Sequence, residues 1–193
     1  MGGLLPSHLL LNAVILIERP SDDINQRSLR QFAARARRAV KLHGEFSIWI
    51  TSPQELQRLN RLFRGKNKAT DVLSFPSALP GSAGDVAIAR EIAAANARAL
   101  GHSVTTELKI LILHGLLHLA GYDHESDNGE MTVRESKLRR ELRLPLGLIE
   151  RTELGNFEKQ VPRRLKPSRD DRKKGRATAQ LKLRPLKRGG RRA

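Results

Sequence analysis

The spacing of apolar residues changes period repeatedly along the chain, and each change predicts an element. Ala13 to Ile17 is a short β-branched run bounded by turn formers, which predicts a strand buried on both faces. From about Ile24 to Leu42, apolar Leu29, Phe32, Ala33, Ala36 and Val40 recur at helical spacing with arginines on the other side, which predicts an amphipathic helix. Phe46, Ile48 and Ile50 then alternate with Ser47 and Trp49, a second strand. Ser52, followed by Pro53 and by Glu55, forms a capping box with proline in the first helical position. Leu56, Leu59 and Phe63 are the expected buried stripe of that helix, and Gly65 is placed to end it.

Further along, Val72 to Phe75 and Val86 to Ile88 read as two strands joined through a Pro/Gly/Ser-rich loop, consistent with an antiparallel connection. A helix from Arg90 to Leu100 follows. Ser103 to Ala120 is the most apolar helix, rich in Leu and Ile on several faces, so it should run through the middle of the domain. A last helix, about Asn128 to Leu144, offers Met131, Leu138 and Leu142 for docking. The sum is an α/β fold: a single domain with a small mixed β-sheet packed by helices, its central apolar helix carrying the chemistry described below.

Composition narrows the picture. The chain has 193 residues, 39% of them hydrophobic but only 4% aromatic, so it holds a core that aliphatic side chains must fill. It has no cysteine, which removes disulfides and thiolate zinc sites and points to the cytoplasm. No stretch is long and apolar enough to cross a bilayer, and Leu9 to Ile17 lacks the basic leader and small-residue cleavage site of a secretory signal. The net charge of +16 points to a polyanionic partner such as nucleic acid. That charge is uneven: residues 1–150 carry +4, whereas 151–193 carry 16 basic and 4 acidic side chains with little hydrophobic periodicity. We expect a folded domain over 1–150 and a basic, disordered tail over 151–193.

The chemical signal lies at the end of the apolar helix, in His114-Gly115-Leu116-Leu117-His118-Leu119-Ala120-Gly121-Tyr122-Asp123-His124. His114 and His118 are one turn apart on one face, a spacing that lets two imidazoles reach one ion. Gly121 can take a positive φ, stop the helix and swing the chain back, so that His124 supplies a third ligand. Three neutral imidazoles leave a zinc ion its full charge and an open position for water, whose pKa then falls toward about 7. Such a site is hydrolytic rather than structural. An isolated histidine on an apolar helix is usually only hydrogen-bonded, but about 0.005 chance matches to this three-histidine spacing are expected in a chain with 6 histidines. His8, His43 and His102 have no such partners and read as surface or loop residues. The metzincin proteases share this spacing, and hence a metzincin-like site geometry, but place a general-base Glu after the first histidine. Here that position is Gly115, so a zinc metallopeptidase would lack its proton acceptor.

The segment His114 to His124 resembles the signature of the YbeY family of bacterial rRNA maturation endoribonucleases. Arg64-Gly65-Lys66 with Thr70-Asp71-Val72-Leu73-Ser74-Phe75-Pro76 resembles its second block, and Gly84-Asp85-Val86 a third. The resemblance spans about residues 10 to 148. It implies a zinc-dependent, single-strand-specific endoribonuclease with one Zn2+ per chain, acting in 16S rRNA 3′ end maturation and ribosome quality control. It also implies RNA and the small ribosomal subunit as partners, with ribosomal protein S11 and an Era-type GTPase beside them. By the same carry-over His114, His118 and His124 are the metal ligands, and Arg64 and His114 the catalytic residues. Ala69 stands where the family usually has proline, and the basic tail extends past the usual family domain.

From the residues alone, Arg64, Lys66 and Lys68 at a helix C-terminus could simply complement the helix dipole. The resemblance favours the other role, in which a planar guanidinium holds the charge that develops on phosphate oxygens during cleavage. Asp123 and Glu125 are candidates to orient a ligating imidazole, and the general base is unassigned. Ser74 and Phe75 either line the cleft or pack. A binding protein for rRNA whose metal is structural is the alternative outside catalysis. The local patch of Arg61, Arg64, Lys66 and Lys68 and the tail are two separable sources of RNA affinity. Deleting 151–193 should weaken binding and flatten its salt dependence while leaving turnover at saturating RNA intact.

Overall fold

The computed structural model describes residues 13–145. Their elements run β1 (Val14–Ile17), α1 (Gln26–Val40), β2 (Glu45–Thr51), α2 (Pro53–Arg64), β3 (Val72–Pro76), β4 (Ser82–Ala89), α3 (Arg90–Leu100), α4 (Val104–Leu119) and α5 (Glu130–Leu142). Each predicted element is present, with ends set by local chemistry. Helix α1 starts after Asn25, whose side chain accepts the Ser28 N–H at 2.9 Å. Helix α2 starts at the predicted box, where Ser52 accepts the Glu55 N–H, and stops at Gly65 in the left-handed conformation. Helix α5 is shorter than the pattern suggested because Asp127 accepts the N–H groups of Gly129 and Met131 and so fixes its first turn.

The strands form one mixed sheet in the order β1-β2-β4-β3, with β1, β2 and β4 parallel and β3 antiparallel to β4. Alternation divides its residues between two faces. Ile48, Ile50, Val86 and Ile88 join Leu29, Phe32, Ala33 and Ala36 of α1, the apolar side chains of α4, and Met131, Leu138 and Leu142 of α5 in the main core. Leu73, Ala87 and Ala89 on the other face pack with Leu56 and Leu59 of α2. Helix α4 is buried on nearly all sides because it packs against β3, β4, α1, α3 and α5.

Two expectations need correction. Strand β1 is not buried on both faces: it is the sheet edge, and Leu16 is 57% exposed while Ile15 packs on the core. Helix α2 covers only the β3–β4 part of its face, so nothing described lies over β1 there. Phe63 is not in the buried stripe of α2: it is 62% exposed and packs edge-to-face with Phe75, ring centroids 5.1 Å apart. Position 63 falls at the last turn, past the sheet residues that bury Leu56 and Leu59. Among the described residues no helix is long and apolar enough to cross a membrane. The expected boundary near residue 150, the basic segment 151–193 and His8 lie outside the described residues.

Candidate metal centre

Helix α4 sets the position of the first two histidines. Its cap, Ser103, accepts the Thr106 N–H at 3.1 Å, and its buried leucines and isoleucines lock its rotation, so His114 and His118 emerge on one side. The helix ends as the glycine predicts: Gly121 has φ +89° and Tyr122 N–H donates to the Leu117 carbonyl at 3.1 Å, turning the chain back. His124 thereby reaches the pair. The ligand-capable atoms of His114, His118 and His124 all lie within 4.8 Å of one another, with ring centroids 4.8, 5.2 and 5.4 Å apart.

The donor set fits a small divalent ion. The Nε2 atoms of His114 and His118 face each other at 3.1 Å, close to the roughly 3.3 Å that two nitrogens adopt on one tetrahedral ion with bonds of about 2.0–2.1 Å. His114 Nδ1 lies 3.0 Å from a carboxylate oxygen of buried Glu135 on α5. A carboxylate accepts, so Nδ1 carries the proton and the Nε2 lone pair is turned toward the other two rings. Burial, then the neighbouring His114 and His124 rings, push His118 down to about 4; Asp123 opposes this, and the Arg64 guanidinium adds to it. His118 is therefore neutral, and able to ligate, at neutral pH.

Glu135 is the residue that sequence reasoning missed. The carboxylates considered for orienting an imidazole were Asp123 and Glu125, which are adjacent in sequence. Asp123 instead caps the turn, accepting from the Glu125 N–H at 3.1 Å and the Ser126 hydroxyl at 2.9 Å. These bonds hold its carboxyl below the usual range. Glu125 is exposed and lies 4.0 Å from Lys66 Nζ. Glu135 has Arg139 beside it at 3.5 Å, one turn along the same helix. A buried carboxylate at Met131 plus four, on the inward side of a docking helix, was the available signal.

The histidines open into a cleft of about 500 Å³ whose lining includes Arg64, Lys66, Ser74, His118 and His124. A deeper part of about 210 Å³ adds His114, Thr70 and Asp71. Arg64 is thus brought to the site from the end of α2, whereas Arg61 and Lys68 do not line it. Ser74 is buried and donates to the Gly115 carbonyl at 3.3 Å, so it both lines the cleft and ties β3 to α4. Phe75 points to the opposite face of the sheet. His43 is exposed and His102 lies in the loop between α3 and α4, both as expected; His102 is largely covered there and pairs with buried Glu107 at 3.2 Å.

Gly115 explains why no general base follows the first histidine. A Cβ there would lie 2.6 Å from Val86 Cγ1 and 3.2 Å from Ser74 Oγ, so the helix can approach β3 and β4 this closely only with glycine. A glutamate does not fit.

Comparison with known proteins shows the family. The model of a family described as Endoribonuclease YbeY matches residues 17–143. An Endoribonuclease YbeY from Koribacter versatilis is 52% identical over 139 residues, 72% of this chain and 91% of that one. One from Solibacter usitatus is 46% identical over 139 residues, covering 72% and 94%. One from Nautilia profundicola is 49% identical over 111 residues, covering 56% and 80%. The matched family span stops short of the basic segment 151–193.

Proposed function

The chain belongs to the YbeY family of endoribonucleases, and on that premise we propose that it is a zinc-dependent endoribonuclease that cuts single-stranded RNA in the course of rRNA maturation. The observation that carries this reading is the convergence of three imidazoles, their ligand-capable atoms within 4.8 Å of one another, beside the Arg64 guanidinium in an open cleft. His114, His118 and His124 would hold the ion. All-imidazole donors without thiolate suit zinc, as they suit copper, iron and nickel, and three of them leave a zinc ion an open position for water. When bound, such an ion supplies Lewis acidity to a phosphate oxygen or to water.

The chain's own residues do the rest. Glu135 keeps the His114 proton on Nδ1 and the ring in place. Arg64 donates a planar pair of N–H groups to the nonbridging oxygens as charge accumulates on them. Lys66 at the mouth of the cleft draws the phosphate backbone in. A cleft open to solvent, in which Arg64 and Lys66 stand beside Asp123 and Glu125, suits a strand whose bases are not paired. The basic segment 151–193 would add a less directed attraction for RNA. We place the activity in the cytoplasm, at the 3′ end of 16S rRNA and in ribosome quality control, with the small subunit, ribosomal protein S11 and an Era-type GTPase as partners.

Metal content and cleavage of a single-stranded RNA by wild type, His118→Ala and Arg64→Ala test this. One zinc per wild-type chain, loss of metal and cleavage in His118→Ala, and retained metal with cleavage reduced at least a hundredfold in Arg64→Ala are expected. Cleavage by His118→Ala at the wild-type rate would refute metal dependence. Undiminished cleavage by Arg64→Ala would remove Arg64 from the mechanism.

A further inference from the structure

The face of the sheet turned away from α4 carries an open groove beside the cleft. Strand register lays two rows across it: Leu16, Trp49 and Ala87 in one, Ser47, Asp85 and Phe75 in the next. Phe63 of α2 forms a wall with Leu59, and the space between is about 380 Å³ and mostly apolar. The chain has few aromatic residues, 5 Phe, 1 Trp and 1 Tyr. Three of them, Trp49, Phe63 and Phe75, meet here and leave part of their rings to solvent.

We propose that this groove is a nucleobase subsite, in which an unpaired base of the bound RNA stacks on Phe63 and Phe75 against Trp49. The inference rests on the endoribonuclease reading and deepens it. Continuity with the cleft is the first argument. Phe63 precedes Arg64, and Phe75 follows Ser74, and both Arg64 and Ser74 line the cleft. Strand β3 is the other edge of the sheet, opposite β1, with Ser74 on its cleft side and Phe75 on its groove side. A strand whose phosphate meets Arg64 therefore needs only to cross that edge to put a neighbouring base into the groove. Charge is the second argument. The cations Arg64 and Lys66 lie on the cleft side, together with the carboxylates of Asp123 and Glu125, while the groove is lined by no cation and its one charged group is Asp85, which accepts a hydrogen bond from Ser47. Phosphate finds a guanidinium and an ammonium only on the cleft side, and Asp85 accepts N–H groups from a base edge, so the backbone stays by Arg64 and the base turns into the groove. Stacking on an aromatic ring suits any base, and it binds single strands alone because paired bases cannot present their faces. A docked protein segment is the other occupant such a groove admits, and the test separates the two.

Trp49 is the sole tryptophan and reports directly. Full-length, zinc-loaded protein is titrated with a 2′-O-methyl adenosine hexanucleotide and with an abasic oligomer of equal phosphate number. The adenosine oligomer should quench Trp49 fluorescence and bind more tightly, and the abasic one should leave the emission unchanged. Phe63→Ala, at an exposed position that does not threaten folding, should weaken the adenosine oligomer about fivefold to a hundredfold. It should leave the slope of log K against log salt as in wild type, because no phosphate contact is lost. For cleavable RNA, KM should rise with kcat little changed, and Phe75→Leu should reproduce the effect in part. Equal affinity for both oligomers, or unaltered affinity and quenching in Phe63→Ala, would overturn the subsite and leave the groove to a protein. RNA cleavage by the wild type, measured in parallel, separates the two failures. Quenching without cleavage would sink the endoribonuclease reading alone.

Discussion

The two faces of the sheet are built from alternate residues of the same strands, yet they differ in every physical respect. Toward α1, α4 and α5 the strands present Ile48, Ile50, Val86 and Ile88, all essentially inaccessible. Toward α2 the sheet presents Leu73, Ala87 and Ala89, buried beneath that helix, but also Ser47, Trp49 and Asp85, which are not buried. Helices α1, α4 and α5, with Ala93 of α3, cover the first face, and α2, with Ile92 of α3 beside it, covers part of the second. The closed face fixes the rotation of α4 and, through α5, brings Glu135 to His114. It is a scaffold for geometry. The open face keeps apolar surface uncovered beside the cleft, where a ligand can use it.

Substitutions sharpen that contrast. Leu116→Ala, on the closed face, should cost about 2–5 kcal/mol by leaving a cavity that α4 cannot close, read as a shift in the denaturant midpoint. A loss below about 0.5 kcal/mol, the range of ordinary surface changes, would show that the main core is loosely packed. Glu135→Gln keeps an oxygen for the His114 Nδ1 proton but removes its charge. It should lower metal affinity about 10- to 100-fold with one ion still bound per chain, measured by competition with a chelator. Unchanged affinity would mean that α5 is only a lid on the core.

Smaller effects follow. Gly115→Ala sets about 1 kcal/mol of gained helix propensity against about 1–3 kcal/mol of overpacking on Val86. Because Val86 is fully buried and cannot withdraw, the net should be a lower Tm, relieved when Val86→Ala is added. A higher Tm for Gly115→Ala alone would show that the contact yields. Leu62→Ala, 63% exposed on the outer turn of α2, should change stability by less than about 0.5 kcal/mol. A loss like that of Leu116→Ala would mean that the α2 side is as closed as the other.

The elements and much of the site were legible because local chemistry specifies them. The Ser52 cap, the Gly65 and Gly121 stops and the 114/118 spacing act within a few residues, and the structure reproduces each. Phe63 was misplaced because helical period states which residues share a side, not how far the neighbouring sheet extends. The position of β1 was misread for a related reason: a β-branched run fits an edge strand as well as a central one. Glu135 lies 21 residues from His114, and no spacing rule connects them.

The sequence by itself determined the strand and helix order, the three imidazoles, the absence of thiolates and the excess of positive charge, since these depend on residue type and short-range geometry. Only the tertiary structure decided which carboxylate holds His114, why position 115 must be glycine, that Arg64 faces the histidines, and that one side of the sheet stays open. Those outcomes depend on how α2, α4 and α5 dock, and docking is set by side chains far apart in the chain meeting at van der Waals distance.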